Sequence, residues 1–362
     1  MHFRTIALRA SRPLVVGFAL FAAACATDSG PSGPSNDDAS FARGGQQGPD
    51  LRAASAAKER HASRLMRQEG IEGVGVSLTD DGKPAVVIFT RHGAVGRIPA
   101  ALDGIPVKVE ITGRIEAILP RAKPPGTGGG NGGGGSNPTS KARPVPVGFS
   151  IGNVGECSAG TYGARVVSGT TRYILSNNHV LALQNHASIG STILQPGRYD
   201  TNCATNLGDA IATLSDYEPI QFGGANNTVD VAIARITNVN DVSNATSSAG
   251  YGVPNKVTMA ASVNQAVQKC GRTTGCTKGT VSAVNATINV SYSDGVARFV
   301  NQIVITGKRG AFSKSGDSGS LIVTDNAAAN PVALLFAGGQ TTTIGNPINA
   351  ALSAMGVTID GK

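Results

Sequence analysis

Tryptophan is absent from these 362 residues, and aromatic residues of every kind make up only 4%. No run of Lys and Arg with interleaved aromatics occurs, so a nucleic-acid surface is not expected. Charged residues are scarce as well, at 15%, which excludes a disordered polyampholyte. The formal charge of +8 carries little weight, because Arg4, Arg9 and Arg12 lie in a segment read below as removed. From Val145 onward, thirteen basic residues stand against eleven acidic ones. What is abundant is glycine (48 residues), together with Val, Thr, Ser and Ala, a mixture that favours short strands and turns over long surface helices.

No apolar stretch at the N-terminus is long enough to cross a bilayer. The run Leu14 to Ala24 has 11 residues, follows three arginines and ends in small residues, the pattern of an export signal over residues 1–24. Ala22-Ala-Ala-Cys25 resembles a bacterial lipobox, which would make Cys25 a lipid anchor; ordinary signal cleavage nearby is the alternative. Five cysteines is an odd count for an exported chain, and lipidation of Cys25 leaves four. An oxidising compartment allows two disulfides. Cys270–Cys276 closes a tight loop around Gly271 and Gly275, leaving Cys157–Cys203 as the second pair. The spacing does not suit structural zinc, and no metal or other cofactor is expected.

Residues 25–50 form a polar tether rich in Gly, Pro and Ser. Residues 51–120 read as a small α/β module: a helix over Leu51 to Glu69 closed by Gly70, then strand-like runs at Val74–Leu78, Ala85–Phe89 and Val107–Ile111. Residues 121–144 hold Gly128-Gly-Gly-Asn-Gly-Gly-Gly-Gly-Ser136 between Pro-rich segments, a flexible linker and not a phosphate cradle. Residues 145–362 read as mainly β, many short strands separated by Gly, Asn and Ser turns, in a sandwich or barrels. The end, Asn346 to Met355, reads as a helix with Asn346 as N-cap and Pro347 at the first position.

Three segments carry chemistry. Ser176-Asn-Asn-His-Val180 puts His179 just after a strand, Asn227-Thr-Val-Asp-Val231 puts Asp230 at the edge of an apolar strand, and Ser315-Gly-Asp-Ser-Gly-Ser320 puts Ser318 between glycines. A serine hydroxyl is a weak nucleophile until an imidazole takes its proton, and the imidazole needs a carboxylate to set its tautomer. The order His179, Asp230, Ser318, with separations of 51 and 88 residues, differs from the orders found in α/β-hydrolases and subtilisins.

In these segments, residues 147–357 resemble the trypsin/chymotrypsin-like serine protease family, in its bacterial exported branch. The resemblance implies two antiparallel six-stranded β-barrels, with His179 and Asp230 from the first and Ser318 from the second. It implies an oxyanion hole from the N–H groups of Gly316 and Ser318, a polypeptide substrate paired along Gly338 and Gly339, and no cofactor. Phe312 stands six residues before the nucleophile, where trypsins carry an acid, so cleavage after Lys or Arg is not expected. Val147-Gly148 is a weak candidate for an activation site that would give Asp317 a new N-terminal ammonium. His186 reads as a surface histidine. The 51–120 module is a pro-region, an inhibitor or a docking element. Two functions stay open: an exported endopeptidase, lipid-anchored or secreted, and a catalytically idle binding module on the same fold.

Overall fold

The computed structural model describes residues 50–117 and 137–362, apart from 94, 95 and 97. The export signal, Cys25, nearly all of the tether and most of the linker lie outside the described residues. No described helix is long and apolar enough to cross a membrane.

The chain beyond residue 137 is mainly β. One sheet has eight strands in the order Thr358–Ile359, Ala164–Ser168, Thr171–Ser176, Ala232–Ile236, Ala210–Tyr217, Thr192–Leu194, Ser150–Asn153, Gly160–Thr161. Small and branched side chains fill most of its interior: Val145, Ile151, Ile174, Ile193, Ile211 and Ala234, with Phe149 and Tyr162 as the buried rings. Eight strands in an unclosed order differ from the six-stranded barrel expected here. In the other sheet, Gly295–Gly307, Thr342–Pro347, Pro331–Gly338, Leu321–Thr324, Ala266–Gly271 and Gly275–Tyr292 pair in sequence, and the last pairs again with the first, making a cycle of six. Leu175 of the first sheet, and Val231 just ahead of its strand Ala232–Ile236, share an apolar cluster with Leu321 and Leu334 of the second and with the helix Ile348–Ala354. That shared apolar layer fixes the two sheets against each other beneath the site.

The residues before the linker form the expected helix, Arg52–Leu65, and the expected strands, now bounded as Ile71–Leu78, Pro84–Thr90 and Ile105–Ile111. They do not form a sheet of their own. Ile71–Leu78 pairs antiparallel with Gly275–Tyr292, so the second sheet continues through the module to 11 strands. Burial along Gly275–Tyr292 records this. Most of the strand alternates buried with part-exposed positions, but Ala283 to Ile288 is buried throughout, where the module covers it. Asn285, in the left-handed region at φ 47°, marks an irregularity in that stretch. Its side chain meets Lys58 Nζ at 3.4 Å and Glu59 Oε1 at 3.3 Å, which ties the helix to the hairpin.

Asn346 is not a helix cap. The helix starts at Ile348, with Pro347 at the cap position and no side-chain cap bond. Asn346 instead lies in the strand Thr342–Pro347, with its side chain fully buried and turned toward the first sheet. The pairs Cys157–Cys203 and Cys270–Cys276 are both formed.

Candidate active site

The strand Thr171–Ser176 ends in two asparagines that give the chain its turn. Asn177 donates to the Asp230 carbonyl at 2.7 Å, and Asn178 donates to the Glu218 carbonyl at 2.7 Å and to Asn185 Oδ1 at 2.8 Å. His179 follows in a single helical turn, Asn178–Leu181, with only 1% of its surface exposed. Asp230 stands two residues ahead of the strand Ala232–Ile236 and is fully buried.

The two meet directly. His179 Nδ1 lies 2.6 Å from Asp230 Oδ2, and the His179 backbone N–H donates to Oδ1 at 3.2 Å. A dry carboxylate needs donors around it, and the Tyr292 hydroxyl supplies another, 2.8 Å from Oδ2. Asn346 completes the arrangement by accepting from the Asp230 N–H at 3.1 Å while donating to Gln302 Oε1 at 2.7 Å. Burial pushes the Tyr292 phenol well above its ordinary range, and the adjacent Asp230 charge adds to this.

Ser318 sits on a turn bounded by Gly316 and Gly319, each at φ +95°. A Cβ on Gly319 would fall 2.1 Å from Ser176 Oγ and 2.3 Å from the Thr161 carbonyl, so nothing larger than glycine fits. The first sheet holds this turn through its edge strand. Thr161 N–H donates to the Ser318 carbonyl at 2.8 Å, and its hydroxyl donates to the Gly316 carbonyl at 2.9 Å. The N–H groups of Asp317, Gly319 and Ser320 are bound to Lys314, Leu335 and Asp317 carbonyls, whereas those of Gly316 and Ser318 have no hydrogen bond among the described residues. The Ser318 hydroxyl donates to the Phe336 carbonyl at 3.4 Å. His179 Nε2 is buried without a hydrogen-bond partner among the described residues.

Asp317 is already satisfied from within. Its carboxylate accepts from the N–H groups of Lys314 (2.9 Å), Thr273 (2.8 Å) and Thr274 (3.1 Å) and from the Thr274 hydroxyl (2.7 Å). Its cation is Lys269, fully buried, with Nζ 3.3 Å away. Burial lowers the Lys269 amine, against the pull of Asp317. Val147, the candidate terminus, is buried within the strand Val145–Val147.

Phe312, expected beside the substrate, is turned into the core of the second sheet. Its ring is 2% exposed and packs with Val281 and Ile305. The next residue faces the other way. Ser313 Oγ is 2.6 Å from Thr343 Oγ1 and near Gly338. Neither hydroxyl was singled out from the sequence, since no pattern marks them.

Gly338 is paired, but with this chain's own residues. Glu116 N–H donates to the Gly338 carbonyl and Gly338 N–H to the Glu116 carbonyl, each at 3.0 Å. Thr112–Ala117 thus runs as a strap between that edge and the hairpin, where Ser291 N–H donates to the Ile115 carbonyl at 2.9 Å and Ala117 N–H to the Ser291 carbonyl at 3.1 Å. The Thr112 carbonyl accepts from Gln340 N–H at 2.7 Å, passing close to Gly339. Thr112-Gly-Arg-Ile-Glu-Ala117 has no periodicity that could have announced it. His186 is 70% exposed and pairs with Asp294 at 2.6 Å. No cluster of His, Cys, Asp or Glu suited to a metal occurs among the described residues.

Comparison with known proteins bears on this geometry. Residues 224–346 match a family model described as the Nal1 C-terminal domain. Serine protease 1 of Streptomyces fradiae is 28% identical over 331 residues, covering 85% of this chain and 89% of that protein. Glutamyl endopeptidase 2 of Streptomyces griseus is 29% identical over 224 residues, 59% of this chain and 97% of that protein. Among solved structures, a glutamic acid specific serine protease that utilizes a novel histidine triad in substrate binding is 26% identical, with a TM-score of 0.42, over 59% of this chain and 100% of that one. The resemblance to trypsin/chymotrypsin-like serine proteases is borne out by the curated relatives, and with it the class, serine endopeptidase.

Proposed function

We propose that the chain is an exported serine endopeptidase that works through Ser318, His179 and Asp230. Ser318 Oγ attacks the peptide carbonyl while His179 Nε2 takes its proton, and Asp230 holds the imidazole with Nδ1–H toward the carboxylate. The tetrahedral oxyanion is received by the N–H groups of Gly316 and Ser318. Collapse returns the proton to the leaving amine, and water then hydrolyses the acyl-enzyme by the same path in reverse. The observation that carries this reading is the buried 2.6 Å contact of His179 with Asp230, beside a Ser318 turn whose two flanking N–H donors are uncommitted.

Export is supported by the Leu14 to Ala24 run and by two disulfides, with Cys25 as lipid anchor or simple secretion as the two outcomes. The substrate is a polypeptide. A specificity unlike trypsin's is supported by the inward Phe312 and by the Ser313–Thr343 hydroxyl pair beside Gly338. The segment 51–117 acts as an intramolecular inhibitor, its strap lying on the strand edge a substrate would use. Tethering keeps such an inhibitor at an effective concentration on the order of millimolar.

One observation favours the rival, an idle binding module: the Ser318 hydroxyl faces the Phe336 carbonyl and not His179. On the endopeptidase reading, this is the resting, strapped form. A fluorophosphonate probe separates the two. The endopeptidase reading expects labelling of the folded chain once it is cleaved between the strap and residue 137 and the strap is released, and none in Ser318→Ala. A folded protein freed of the strap that takes no label would overturn it.

A further inference from the structure

We propose that Tyr292 is a positioning residue for the Asp230–His179 pair, acting through the hydrogen bond from its hydroxyl to Asp230; this rests on the catalytic reading of the site given above. The bond falls on Oδ2, the same carboxylate oxygen that faces His179 Nδ1. Oδ1 is held separately by the His179 backbone N–H. Each carboxylate oxygen therefore has a fixed backbone or aromatic donor, and the plane of the group is set before the imidazole meets it. Without the phenol, Oδ2 would keep only the imidazole, the partner whose orientation it has to define.

The placement of Tyr292 is determined on several sides. Its ring lies edge-on to His179, centroids 5.9 Å apart at 73°, and edge-on to Phe222 at 5.8 Å. The turn that follows is pinned to the loop beyond His179: Ser293 Oγ donates to Gln184 Oε1 at 2.9 Å, and Asp294 pairs with His186 at 2.6 Å. On its other side, Ser291 is bonded to the strap. Among the described residues, Tyr292 is the titratable group in contact with the His179–Asp230 pair, with the His186–Asp294 pair further out at the turn. A filler aromatic would need none of these polar ties, and a phenylalanine would pack the same space.

The test compares Tyr292→Phe with the parent on a short chromogenic peptide, both cleaved between the strap and residue 137 and with the strap released. The expected result is a fall in kcat of about tenfold, the scale of a hydrogen bond to a charged group, with KM nearly unchanged. The acidic limb of the kcat profile moves to higher pH, because a carboxylate that has lost a neutral donor holds the imidazolium more tightly. Replacing Tyr292 by 3,5-difluorotyrosine keeps the shape and strengthens the donor, so it retains kcat and moves that limb to lower pH. It also serves if Tyr292→Phe fails to fold. Unchanged kcat and an unmoved limb in both variants would overturn the proposal. If the parent neither turns over nor labels even with its strap released, the endopeptidase reading fails, and the downfield proton resonance of His179 Nδ1–H still decides the positioning role. Displacement of that resonance in the variants supports it, and an identical resonance overturns it.

Discussion

Glu116 and Gly338 exchange two backbone hydrogen bonds of 3.0 Å, two residues along from the Phe336 carbonyl that accepts the Ser318 hydroxyl. An edge strand offers its N–H and C=O groups to any extended chain, and here the chain that answers is its own. On the inhibitor reading proposed above, access to Ser318 is a competition between the strap and an incoming peptide.

Glu116→Pro tests that competition. Proline removes the N–H that binds the Gly338 carbonyl, and the loss of one such bond weakens the strap by about 1 kcal/mol. Turnover of a short peptide by the full chain, measured as kcat/KM, is expected to rise about three- to tenfold. An unchanged rate would show that the strap does not limit access.

The two disulfides differ in what they constrain. Cys157–Cys203 spans 46 residues and Cys270–Cys276 spans 6, so opening the first releases more chain entropy, about 4 kcal/mol against about 2 kcal/mol. Paired Cys→Ala variants, compared by denaturant unfolding, are expected to rank in that order. The reverse ranking would mean that the short loop beside Asp317 contributes through packing more than through chain constraint.

Alkaline pH reads the buried tyrosines. Burial raises Tyr162, Tyr251 and Tyr292, and in the unfolded chain each titrates near pH 10. A group raised in the folded state keeps its proton there after the unfolded chain has lost it. Stability is then expected to fall above about pH 10, by about 1.4 kcal/mol per pH unit for each tyrosine. Lys269 has the opposite sign: it is lowered by burial, so its contribution rises with pH up to the unfolded value near 10.4. In an absorbance titration at the tyrosinate band, three of the six tyrosines are expected to ionise only as the chain unfolds. Early ionisation of all six would contradict this.

How much of this was legible in the sequence depends on the range over which each feature is determined. His179, Asp230 and Ser318 stand out as candidates because each sits in a short segment whose neighbours do local work: two asparagines making a turn, an apolar strand, glycines where side chains would collide. The cysteine pairing followed from one short loop. Features set by distant partners were not readable. Phe312 and Ser313 lie between the strands Gly295–Gly307 and Leu321–Thr324, and their neighbours, Val281 and Ile305 for one and Thr343 for the other, are set only by the folded chain. Asn346 before Pro347 has the composition of a helix cap, yet its partner is the Asp230 N–H, 116 residues away. Tyr292 resembled any strand aromatic. The module at 51–117 reads as an independent unit because its strands are local, while their pairing with Gly275–Tyr292 spans some two hundred residues.

That shared sheet has a consequence for the processing that the inhibitor reading entails. Removing the module would uncover the strand edge from Val284 to Ile288, with its amides and carbonyls turned outward and its apolar face stripped of cover. A liberated catalytic unit would thus be adhesive where it had been finished. It would have to fold that edge away, find another strand, or keep the cleaved module as a bound companion, so that proteolysis changes the covalent chain before it changes the particle.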